Sequence, residues 1–144
     1  MTDATDDSLS TMDCCVLEEH GQARVVIKRS MVTFFESLDV RSRARLKSVM
    51  KLWCEGRKLT PEMFNPNEGR TPKHNVMLQA FKRNQIKLRL YGFCSTIGGK
   101  KTFVILDSDP SKKQNKADPI ILKRAKAHVD HLVETLKSEG NLNG

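Results

Sequence analysis

Three apolar segments, at residues 76–81, 86–94 and 102–106, follow one another with short polar joints between them, and the second joint carries Gly98-Gly99. Within the middle segment Ile86, Leu88 and Leu90 alternate with Lys87, Arg89 and Tyr91. A period of two belongs to a strand with one face in a core, and a Gly-Gly pair supplies the positive φ that a tight reversal needs. The pattern therefore predicts a three-stranded antiparallel meander. One face holds the aliphatic residues, and the face of Arg89 and Tyr91 is expected to meet a ligand.

The flanking segments read as mostly helical. Residues 24–28 are a first strand, and 31–38 either continue it or begin a helix, because a short apolar run does not settle its own period. From Asp39, a helix-capping residue, Leu46, Val49, Met50 and Trp53 recur at steps of three and four and predict a helix ending near Gly56, with Trp53 in the core. Arg41, Arg43, Arg45, Lys47 and Lys51 fall on its other faces. Residues 58–75 contain Pro61, Pro66, Pro72 and Gly69 and read as a long loop. After Asp118-Pro119, an apolar stripe of Ile121, Leu122, Ala125, Val129, Leu132, Val133 and Leu136 predicts a last helix ending before Gly140.

Charge is unevenly placed. Residues 1–20 hold six acids and no Lys or Arg, so all 25 basic residues and 11 of the 17 acids lie beyond them, a formal +14 against +8 for the whole chain. Asp, Ser and Thr dominate the start, which reads as a flexible acidic leader over 1–20, followed by one domain over 21–140. A domain so basic is drawn to nucleic acid or to an acidic protein. The four cysteines form no C-x-x-C pair, so neither a zinc site nor a disulfide framework is expected, and no cofactor or metal. The acidic start lacks the pattern of a signal peptide, and no apolar run is long enough to span a bilayer. A cytoplasmic protein without a membrane partner is the expectation.

Leu88-Arg89-Leu90-Tyr91 on one strand is followed by an apolar strand that leads into Lys112-Lys113-Gln114-Asn115-Lys116 and a terminal helix. This arrangement, over about residues 24–137, resembles the RelE/HigB family of bacterial and phage toxins from toxin-antitoxin modules. The resemblance implies a compact α+β domain: a small antiparallel sheet with N-terminal helical segments and a C-terminal helix. It also implies a ribosome-dependent endonuclease that cuts mRNA and inhibits translation, neutralised by a cognate antitoxin protein. Where many members place a His and an aromatic, this chain has Asp107-Ser108-Asp109-Pro110. Carboxylates there repel RNA phosphate unless they are paired with Lys or Arg.

Cleavage by 2′-hydroxyl attack, without metal, needs a base, a cation for the phosphorane and an acid for the leaving oxygen. The candidates are Arg89 for the phosphorane, Lys113 as a base lowered by neighbouring cations, and Tyr91 as proton donor or stacking surface. Lys82, Arg83, Lys112 and Lys116 are the candidate RNA-binding residues. His74, in the loop, and His128 and His131, on the last helix, read as surface or packing residues. Asp107 and Asp109 lack a third clear ligand for Mg²⁺. Two other functions remain open: a ParE-like inhibitor of DNA gyrase, or a catalytically inactive relative that binds nucleic acid or antitoxin.

Overall fold

The computed structural model describes residues 8–110, 117–140 and 142–143. In chain order the elements are α1 (Ser8–Met12), β1 (Cys14–His20), β2 (Ala23–Lys28), α2 (Val32–Glu36), α3 (Val40–Cys54), β3 (Phe64–Asn65), β4 (Gln79–Arg83), β5 (Leu88–Ile97), β6 (Lys100–Asp109), α4 (Pro119–Ser138) and β7 (Leu142–Asn143). The strands form one sheet in the order β1-β2-β6-β5-β4-β3, with β7 also on β5. The chain is an α+β protein.

The meander is present as β4, β5 and β6, with β5 and β6 joined through Gly98 and Gly99, both at positive φ. The sheet is mixed rather than antiparallel throughout, because β2 runs parallel to β6. Parallel neighbours need a crossover long enough to carry the chain back, and everything from α2 to β5 provides it. Both faces are then covered. Val25, Ile27, Phe81, Leu88, Leu90, Phe103 and Ile105 pack with Leu46, Val49, Met50 and Trp53 of α3. On the opposite face Val26, Ala80, Tyr91, Phe93, Val104 and Leu106 pack with Ala125, Val129, Leu132, Val133 and Leu136 of α4. Trp53 meets Phe103 edge-on at 5.8 Å between ring centres, and Phe81 meets Phe103 at 4.8 Å, geometries that rings favour.

The helix boundaries follow from their caps. Asp39 accepts the Ser42 N–H at 2.9 Å, and Asp118 accepts the Ile120 N–H at 2.9 Å with Pro119 opening α4, where its missing N–H costs nothing. In the segment 31–38, helix α2 follows a single 3₁₀ turn at Arg29–Met31, so the apolar run is helical.

The flexible leader expected over 1–20 is corrected for residues 8–20. They form α1 and the sheet-edge strand β1, closed onto β2 by a two-residue turn with Gly21 at φ +62°. Met12 and Cys14 are buried against the α4 face, which explains why this stretch is ordered despite its charge. Its acids are individually matched: Asp13 with Arg29 at 3.1 Å, Glu18 with Lys47 at 3.5 Å, and Glu19 with Lys100.

One irregularity lies beside the residues of interest. Tyr91 pairs with Asp107 but Gly92 pairs with Ile105, so Leu106 is the extra residue of a β-bulge. A side chain at position 92 would place its Cβ 1.9 Å from the Val104 carbonyl oxygen.

Candidate functional site

The register of the meander sets three charged residues in a row across the sheet: Lys82 on β4 is opposite Arg89 on β5, which is opposite Asp109 on β6. The next rung is Ala80, Tyr91 and Asp107. Strand alternation puts both rungs on the α4 face, at the end of the sheet where α4 begins.

This face is not open in the way the alternation predicts. Tyr91 is 0% exposed, under α4, and burial pushes its phenol well above the usual tyrosine range, with the Glu68 carboxylate adding to the effect. Its hydroxyl oxygen is buried and has no hydrogen-bond partner among the described residues. Tyr91 is thus core rather than a surface for stacking bases. Period two separates Tyr91 from the aliphatic face but cannot reveal that a second helix covers the other side.

Arg89 is partly buried, and its Nε lies 3.5 Å from Oε2 of Glu68, whose side chain is nearly enclosed. Glu68 comes from the long loop, where no periodicity marks it for a role. Lys82 donates to the Pro61 carbonyl at 2.9 Å. Arg83 takes the other side of β4 and donates from Nε to Ser42 Oγ of α3 at 3.0 Å. Lys82, Arg89 and Tyr91 are therefore neighbours on one face, and Arg83 is separated from them by the sheet. Lys112, Lys113 and Lys116 lie outside the described residues.

The carboxylates of Asp107 and Asp109 are engaged. Arg124 of α4 donates to Asp107 from Nε and Nη2, each at 2.7 Å, and His128 Nε2 stands 3.8 Å from the same carboxylate. Asp109 accepts the N–H of Asp118 at 3.2 Å, so the end of β6 and the start of α4 are fastened together. The condition under which these acids cease to repel phosphate is met at Asp107, because the Arg124 charge lies directly on it. Arg124 fell inside a helix read only for its apolar stripe; its spacing from Pro119 carries no signal for a strand partner. His128 reaches this carboxylate, whereas His74 lies elsewhere, its Nε2 3.1 Å from Glu134.

The site thus comprises a band of alternating charge that runs from the enclosed Glu68–Arg89 pair to Asp107 and the half-exposed Arg124, bordered by Lys82. Such a band positions its cations, because each has a partner: Arg89 has Glu68, Arg124 has Asp107 and Lys82 has the Pro61 carbonyl. Among the described residues no three His, Cys, Asp or Glu side chains are grouped to hold a metal ion, and no helix is long and apolar enough to cross a membrane. No family model, curated protein or solved structure matches the chain.

Proposed function

We propose that this protein is a RelE/HigB-like toxin, a ribosome-dependent mRNA endonuclease that inhibits translation and is neutralised by a cognate antitoxin protein. The observation that carries the reading is the juxtaposition of Lys82 and Arg89 as cross-strand partners at the end of the sheet where α4 starts. The hydrogen bond from Asp118 to Asp109 returns the chain to that same end after the segment bearing Lys112, Lys113 and Lys116. Between β2 and α4 the chain runs strand, helices, meander and terminal helix, an order compatible with the resemblance, to which α1, β1, β3 and β7 are additions.

In this reading Arg89 stabilises the charge on the phosphorane, with its planar fork aligned by Glu68, Lys113 takes the 2′-hydroxyl proton as the 2′-oxygen attacks phosphorus, and the departing 5′-oxygen takes a proton from water. Tyr91 has no chemical role in this reading and packs in the core under α4. Lys82, Lys112 and Lys116 hold the RNA backbone, while Arg83, on the far side of β4, braces α3.

The test is cleavage-site mapping of one reporter mRNA in a reconstituted bacterial translation reaction, with wild type, Arg89→Ala and a control lacking ribosomes. Cuts that require ribosomes and disappear with Arg89→Ala are expected. Intact mRNA with folded wild-type protein refutes the reading, and DNA damage in expressing cells would then indicate gyrase inhibition.

A further inference from the structure

A groove of about 480 Å³ lies between the first turns of α4 and the loop at Arg70–Pro72, rimmed by Arg70, Lys123 and Lys126 and floored in part by Pro72, Leu122 and Ala127. Among the described residues that line it there is no Asp or Glu. The nearby acids each have a partner: Glu68 stands against Arg89, Asp118 accepts the Ile120 N–H, and beyond Pro72 and Ala127, where an adjoining hollow begins, Asp130 accepts the N–H groups of Lys73 and His74 and Glu134 lies 3.1 Å from His74. Arg70 is oriented by donating from Nη1 to the Asn75 carbonyl at 2.8 Å, and the Lys126 ammonium lies over Gly69, where a Cβ would come within 2.7 Å of it.

We propose that this groove is a binding site for a single-stranded RNA segment. Three cations around an apolar floor match a chain whose outer edge is phosphate and whose bases and riboses offer flat, weakly polar faces. A fixed guanidinium such as Arg70 serves both, by binding phosphate oxygens through its fork and by stacking on an unpaired base. The inference rests on the RNA-binding half of the proposed function and is independent of cleavage.

The experiment is fluorescence anisotropy of a labelled 12-nucleotide single-stranded RNA of mixed sequence, over a salt series, with the full chain. The variants are Lys123→Ala/Lys126→Ala and Ala127→Glu, the second placing an acid in the groove from an exposed helical position. The control is Arg41→Ala/Arg45→Ala, which removes the same charge from the exposed surface of α3. Folding of each is checked by thermal melting. The groove variants are expected to bind about tenfold or more weakly, with the log–log salt slope of the double variant lower by about 1.4 for two lost phosphate contacts. The α3 control is expected to lose less than about threefold. Equal losses in the groove and control pairs would overturn the site, as would no loss in the groove pair. A ten-residue polyglutamate that binds wild type more tightly than the RNA does would overturn it in favour of a protein-docking surface. Groove-dependent RNA binding by a protein that cuts no mRNA would sink the endonuclease reading alone and leave the groove standing.

Discussion

Arg124 holds Asp107 through two parallel hydrogen bonds of 2.7 Å, joining a half-exposed helical guanidinium to a carboxylate that is almost enclosed by the sheet. The geometry is that of the strong class of ion pair, and the exposure of Arg124 reduces its worth to about 1 kcal/mol. A double-mutant cycle with Arg124→Ala and Asp107→Ala, measured by urea unfolding, should return a coupling of that size. Additive losses would show that the two side chains share geometry without energy.

Gly92→Ala should destabilise the fold by about 3 kcal/mol or more, since its Cβ would be forced into the Val104 carbonyl at the bulge and backbone cannot yield as a side chain can. Urea denaturation measures it. Retention of full stability would mean that the bulge can shift along β6.

Tyr91→Phe should be neutral or stabilising, by up to about 1 kcal/mol, because the hydroxyl is buried without a partner among the described residues. It should also leave mRNA cleavage unchanged in the translation assay. A large loss of cleavage with unchanged stability would restore Tyr91 to the chemistry.

Asp130 anchors the long loop to α4, accepting the backbone N–H groups of Lys73 at 2.9 Å and His74 at 3.1 Å. Burial raises its carboxyl pKa, but these bonds, that from Thr71 and the nearby His74 outweigh burial, and the net direction is down. A carboxyl lower in the folded than in the unfolded chain contributes stability that is present above about pH 4 and lost as pH falls through its folded value. Asp130→Asn should therefore destabilise the protein at neutral pH by about 1–3 kcal/mol and flatten the acid limb of a Tm–pH profile. An unchanged acid limb would assign that limb to other carboxylates.

The thiols should differ in reactivity. Burial raises both thiols, but Cys94 keeps an exposed side chain, whereas Cys14 is buried and pushed up to about 12, almost without thiolate at neutral pH. Alkylation of native protein with iodoacetamide, followed by peptide mapping, should label Cys94 well before Cys14, and unfolding should remove the difference. Early labelling of Cys14 would show that α1 opens.

The meander, both long helices and their caps were legible because each is written in local periodicity: Ile86, Leu88 and Leu90 by twos, and Leu46, Val49, Met50 and Trp53 by threes and fours. What was not legible depends on partners distant in sequence. Cys14 to His20 reads as a polar leader until β2 supplies its ladder and Lys47 and Lys100 supply its counter-charges. Tyr91 reads as exposed until α4 covers it. Glu68 and Arg124 have no pattern of their own and acquire a role only through register, from Arg89 and from Asp107. In the charged row Arg89, Asp107 and Asp109 were all visible as strand residues, with pairing to Lys or Arg named as the condition for the acids; that Asp109 falls opposite Arg89 and that Arg124 is the partner of Asp107 came only from the three-dimensional arrangement.

The parallel contact between β2 and β6 carries a kinetic implication. Val26 waits for Val104, 78 positions later, so a chain leaving the ribosome can zip β1 onto β2 early but must carry that hairpin with an unfilled side until most of the polypeptide has emerged. Contacts between such distant residues set slow folding rates. The nascent chain therefore carries an adhesive hydrophobic margin throughout the making of residues 29–103, and α4, which follows β6, is the helix that finally seals its second face.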